Sequence, residues 1–259
     1  MSQHNLEIAI SNLAFLIEKQ LVQIGKKIFN SQNLVNLSEY YDNYGCGNFL
    51  LNLDIKLFYV SLYKGAKTYL DLLLLRKSVN LDEYYLCRSR GTPLLCALAI
   101  GDYSLATAIA ENSLPFHSQM EYEDDYQSYS LLPLLYSCIE NSEAIAKGLE
   151  IFENTLEGDP SARLDSVKAI YEKDEKLFNE SMLLLIEQWR ESVKKKRRSD
   201  KIEPMYDKTS ANIFVEGIAL VRLARQNGLD SDLSYSFIPD EILMHSIKEF
   251  PVQFSLSND

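Results

Sequence analysis

Residues 90–114 read RGTPLLCALAIGDYSLATAIAENSL, and they narrow the choice of fold further than any other stretch. Thr92-Pro93 is a helix start. Thr offers a hydroxyl to cap the first free N–H groups, and Pro has no N–H to lose and holds a helical φ. Leu94, Leu95, Leu98 and Ala99 supply an apolar face. Gly101-Asp102 ends the run, and Ser104 to Asn112 forms a partner helix. Ala97, Ala99, Ala106, Ala108 and Ala110 are small enough for two backbones to lie close together. The stretch predicts a tight antiparallel helical hairpin.

The design recurs once. In SLLPLLYSCIENSEAIAKGLEIF, Pro133 takes the slot of Pro93 and Asn141 the slot of Gly101, an interval of forty residues (133 − 93). Thr-Pro-Leu before an apolar run also occurs in ankyrin repeats, but their period is roughly 33, whereas HEAT and armadillo units repeat at about 40–47. The expected fold is all-α, a HEAT/TPR-like stack of antiparallel helical hairpins with roughly ten helices.

The rest of the chain fits that class. Leu6, Ile10, Leu13, Ile17, Leu21, Ile24 and Ile28 recur at steps of three and four, the pattern of a long amphipathic helix. A turn is expected at Gly45 and Gly47, within SEYYDNYGCGN. Residues 49–79 are apolar and too long for one strand, so helix is expected, with Gly65 at a helix end or a close helix contact. Asp82-Glu83 opens a short segment ending near Arg90. Asp159-Pro160, Asp174-Glu175, Ile213 to Arg225 with a cap at Asn227-Gly228, and FIPDEILMHSIKEF mark further helices. Phe116–Ser128 and Arg198–Lys208 are the stretches expected to lack regular structure. No Pro- or Ser-rich linker interrupts the chain, so residues 1–259 are expected to form one domain, with N-terminal helices over 1–80 and a hairpin region over 81–259.

Composition bounds the function. The net charge is −11, which disfavours nucleic-acid binding through a general field, since phosphate contacts rest on Lys and Arg; a basic protein partner is better matched. Cys46, Cys87, Cys96 and Cys138 form no Cys-x-x-Cys pair and are expected to be buried thiols. No secretory leader is legible at the N-terminus. The most apolar short run, Tyr69 to Leu75, is too short to span a bilayer. A cytoplasmic chain without membrane association is expected.

Little in the sequence suggests catalysis. His4, His117 and His245 lie at no helical spacing from one another. Walker, Gly-x-Ser-x-Gly, dinucleotide and His-Glu-x-x-His motifs are absent. No catalytic residue, cofactor or metal is expected. Three stretches remain. In MEYEDDYQSY, Glu121, Glu123, Asp124 and Asp125 interleave with Tyr122, Tyr126 and Tyr129. Tyrosine joins apolar area to a polar tip, and carboxylates beside it attract a partner's Lys and Arg. These seven residues are the candidate partner-binding surface. The basic block Val193–Arg198 is expected to complement a helix C-terminus, and Trp189 to anchor packing.

Three segments carry a family resemblance. RGTPLLCALAIGDYSLATAIA resembles the central helical pair of the bacterial immunity protein 49 family. DPSARLDSVKAIYEKDEKLFNESMLLLIEQWRE resembles its later module of a capped helix, an acidic break and a long helix. ANIFVEGIALVRLARQNGL resembles its closing helix. The first eighty residues lie outside the resemblance. It implies a non-enzymatic inhibitor that binds a cognate antibacterial toxin in the cytosol and occludes its active site. The partner would be a basic effector, including effectors that attack nucleic acids, and a homodimer stays open. Two other readings remain: a helical-repeat scaffold or adaptor unrelated to toxins, and an enzyme with an unrecognised carboxylate site.

Overall fold

The computed structural model describes residues 3–26, 30–75, 82–229 and 234–245, and among these every regular element is a helix. The first three are α1 (Gln3–Gly25), α2 (Ser31–Asn52) and α3 (Ile55–Leu75). Two 3-10 turns, Glu83–Leu86 and Arg88–Arg90, lead to α4 (Thr92–Ala99) and α5 (Tyr103–Asn112). Then α6 (Glu123–Leu131) runs into a 3-10 turn at Leu132–Ser137, followed by α7 (Ser142–Thr155), α8 (Ala162–Glu172) and α9 (Glu175–Arg198). Last come α10 (Pro204–Lys208), a 3-10 turn at Ser210–Asn212, α11 (Val215–Gln226) and α12 (Asp240–Met244).

The long N-terminal stripe makes α1, with Leu6, Leu13, Ile17 and Ile24 buried; Ile28 lies outside the described residues. α2 lies between α1 and α3. The turn expected at Gly45 and Gly47 does not form, because both glycines sit buried inside α2. They act through size. A Cβ on Gly45 would come 2.8 Å from Ser61 Cβ on α3, and one on Gly47 would come 2.8 Å from Thr209 Cγ2. Gly65 is a close helix contact: its Cβ would meet the Ser38 carbonyl at 2.9 Å, and Ser38 Oγ donates to the Gly65 carbonyl at 2.8 Å.

The hairpin at 90–114 forms as α4 and α5, which pack together. Its N-cap is Gly91, which brings no side-chain cap, rather than Thr92; Asp102 caps α5 by accepting from Leu105 N–H. α4 is buried from Pro93 to Ala99. An all-round apolar helix needs neighbours on every side, and α3, α5 and α11 supply them. The repeat at Pro133 departs from the design. Residues 132–137 are a 3-10 turn continuing α6, not a separate α-helix. Pro133 has no N–H to give an α-helical bond, and the chain tightens there.

The two stretches expected to lack regular structure also differ. Glu123 to Ser128 belongs to α6, and Pro204 to Lys208 forms α10, started by Glu203, whose side chain accepts from Tyr206 N–H. Glu203 satisfies a free N–H of α10, and Glu123, Asp124 and Asp125 lie in the first turn of α6, where negative charge complements the helix dipole; a polar sequence concealed that role. α8 is capped by Ser161 and α9 by Asp174.

The C-terminal half returns to the N-terminal helices. α11 packs on α4, and α10 on α1. Thr209 Oγ1 donates to Asn43 Oδ1 at 2.9 Å, and the Tyr59 hydroxyl donates to the Ile242 carbonyl at 2.7 Å. Trp189 is a packing anchor, with ring centroids 5.2 Å from Phe214 and 5.1 Å from Phe237. The four cysteines are buried and free. No described helix is long and apolar enough to cross a membrane.

Candidate partner interface

The acidic-tyrosine segment divides into an inner and an outer set. Tyr129 is buried, with its ring against Gly91, where a Cβ would come 2.9 Å from Tyr129 Cδ1. Asp125 accepts from Arg163 Nη1 at 2.5 Å, while Arg163 also reaches Glu216 from Nε at 2.7 Å and from Nη2 at 3.2 Å. This pins α6 to α8 and α11. Burial works against the Arg163 charge, but Glu216 and Asp125 outweigh it and raise its pKa. At Asp125, burial outweighs the pull of Arg163 and leaves the carboxyl above its ordinary range.

Tyr126 and Glu121 also face inward. Tyr126 donates its hydroxyl to the Pro115 carbonyl at 3.1 Å, and the Arg88 guanidinium lies 5.4 Å from its ring centroid. Glu121 Oε2 accepts from Ser89 N–H at 2.8 Å, and its buried Oε1 has no hydrogen-bond partner among the described residues. So Glu121, Asp125, Tyr126 and Tyr129 hold the segment in place, and Tyr122, Glu123 and Asp124 face solvent.

The outer set has two further members. Phe116 and Met120 are exposed at 55% and 52%, beside Tyr122 at 79%. Large apolar side chains are normally exposed singly, and here three fall within seven residues of one loop, which we refer to as the patch. Glu123 and Asp124 border it in the first turn of α6. The backbone under the patch is tied down. Arg88 Nε donates to the Leu114 carbonyl at 2.9 Å, His117 Nε2 to the Glu121 carbonyl at 2.9 Å, and Ser118 Oγ to Glu83 Oε1. Such a surface loses little conformational entropy on binding. Phe116 and Met120 carried no signal in sequence, since nothing there showed that the loop would be held with these two turned outward.

The 3-10 turns at 83–90 brace this loop on one side and wall a cleft on the other. The cleft has a volume of about 590 Å³ and is lined by α2, the turns, the start of α4, and residues 201–206. Glu39, Asp42 and Glu203 line it together with Arg90, Lys196 and Lys201. Among the described residues no group of His, Cys, Asp and Glu is arranged to hold a metal ion. Comparison of the chain with protein-family models, curated proteins and solved structures found no match.

Proposed function

We propose that the chain is an immunity protein that neutralises a cognate antibacterial toxin by binding it directly and occluding its active site. The observation that carries this reading is the acid-bordered patch of Phe116, Met120 and Tyr122 on a braced loop. Aromatic and Met side chains supply contact area at a protein interface. Glu123, Asp124 and the net charge of −11 favour a basic partner and speed its approach. The resemblance of the α4–α5, α8–α9 and α11 segments to immunity proteins supplies the biological setting: a non-catalytic inhibitor acting in the cytosol, without cofactor. On this reading α4–α5 and α8–α9 are units of a HEAT/TPR-like stack.

A helical scaffold or adaptor is the second reading. It is favoured by the same patch, in which nothing is specific to a toxin. Affinity capture of the tagged chain from its native cell at moderate salt separates the two. One stoichiometric partner with a toxic domain supports the immunity reading. Several unrelated partners, with no toxin among them, support the scaffold.

A further inference from the structure

Leu6, Ala9, Leu13, Ile17 and Ile24 turn inward along α1, which packs on α2 and α10. An α-helix turns about 100° per residue, so seven residues return to nearly the same side. Ile8, Phe15 and Val22, seven apart, therefore form one line along the helix, on the side away from the buried stripe. They are exposed at 47%, 65% and 50%. The solvent side of an amphipathic helix is ordinarily polar. Three large apolar side chains in a line on that side form a face suited to another protein surface.

The spacing and the flanking charges both suit a second copy of this chain. When two identical helices lie side by side and parallel, residues spaced by seven meet their own counterparts, and charges on the two flanks pair across the seam. Glu18 lies on one flank of the line and Lys19 on the other, both exposed between Phe15 and Val22. Neither is ion-paired among the described residues. A two-fold axis along the seam brings Glu18 of each copy to Lys19 of the other, so the pair forms twice. Ser11 and Asn12, one heptad earlier, are exposed on the same flanks and meet as neutral polar side chains. The antiparallel arrangement loses both ion pairs, because it sets Glu18 beside Ser11 and Lys19 beside Asn12. Charge complementarity therefore selects the parallel pair.

We propose that α1 joins two copies of this chain, side by side and parallel, through Ile8, Phe15 and Val22, with Glu18 of each copy paired to Lys19 of the other. Each heptad contributes one apolar residue to the seam where a full coiled coil has two, so the association is reversible and depends on concentration. The inference goes beyond the toxin-binding reading and does not rest on it.

The test is sedimentation velocity of the full chain over a concentration series from about 1 to 200 µM. Wild type is expected to pass from monomer to dimer. F15S is expected to weaken the dimer about tenfold or more, with a thermal midpoint equal to wild type because the replaced ring is exposed. E18K and K19E are each expected to weaken it about threefold or more, and E18K/K19E to restore it, since the exchange recreates both ion pairs. A wild type that stays monomeric throughout, or an F15S variant that dimerises as wild type does, overturns the inference. A double exchange no better than the single ones overturns the parallel arrangement. If wild type is monomeric and F15S loses a different protein that wild type captures, the line belongs to that protein and the second copy is overturned.

Discussion

Arg163 holds Glu216 through two parallel donors, Nε to Oε1 at 2.7 Å and Nη2 to Oε2 at 3.2 Å, joining the start of α8 to the start of α11. The third donor arm goes to Asp125 on α6. A planar fork on three elements is not replaceable by a point charge. R163K is therefore expected to destabilise the chain by about 1–2 kcal/mol, and R163A by about 2–3 kcal/mol, since removing one partner leaves partly buried carboxylates exposed to each other. Urea unfolding of the two variants checks this; a loss in R163A no greater than a surface pair would give, under about 0.5 kcal/mol, contradicts the role.

Gly65 is set against a backbone atom rather than a side chain. Replacing it by Ala favours the helix by about 1 kcal/mol in isolation. Here the new Cβ would lie 2.9 Å from the Ser38 carbonyl oxygen, which cannot swing away. Overpacking of this kind costs about 1–3 kcal/mol, so G65A is expected to lower the thermal midpoint. A midpoint equal to or above wild type would show that α2 and α3 separate freely.

Asp42 gives the stability a pH dependence of known sign. Its folded pKa is raised from 3.8 to about 6 by burial, against the opposing bonds from Cys46, Ser210 and Cys96. The folded chain therefore binds this proton more tightly than the unfolded chain. The group favours folding most below 3.8 and loses that contribution as pH rises through about 6. The full difference is at most about 3 kcal/mol. D42N removes the charge while keeping an acceptor oxygen, and it also relieves Glu39, which Asp42 raises. D42N is expected to be more stable than wild type by about 1–2 kcal/mol at neutral pH, with the gain vanishing near pH 4. Equal stability at both pH values would show that Asp42 is not strained.

The helices and their ends were legible in the sequence where apolar period and capping chemistry agreed. Thr92-Pro93, Asp102, Asp174 and Asn227-Gly228 lie within a residue or two of element boundaries. Gly45 and Gly47 suggest a turn in the sequence because a glycine in a polar stretch looks the same whether it turns the chain or admits a neighbouring helix. Only the approach of Ser61 and Thr209 distinguishes the two. The acidic-tyrosine segment was visible as a composition, but its division into an inner and an outer set depends on Arg163, Arg88 and Ser89, remote in sequence. The meeting of Glu39 and Asp42 with Glu203 had no local signal at all, since α10 reaches α2 only through tertiary packing.

The patch itself makes the most direct prediction about recognition. F116A, M120A and Y122A remove exposed side chains, so their effect on stability is expected to stay within about 0.5 kcal/mol. Binding should respond differently: truncation of an interface anchor costs about 2 kcal/mol or more. E123Q/D124N is expected to slow association rather than speed dissociation, with the difference fading at high salt. Faster dissociation at unchanged on-rate would mean that these two carboxylates are buried by the partner.

Capture of the partner by wild type and by the F116A/M120A/Y122A variant, side by side from native cells, shows whether these three side chains hold a toxin. Wild type is expected to retain one basic, toxin-bearing protein in stoichiometric amount, and the folded variant to lose it. Retention of that protein by the variant at the wild-type level would remove these side chains from the interface, and recovery of no toxin by either would overturn the immunity reading.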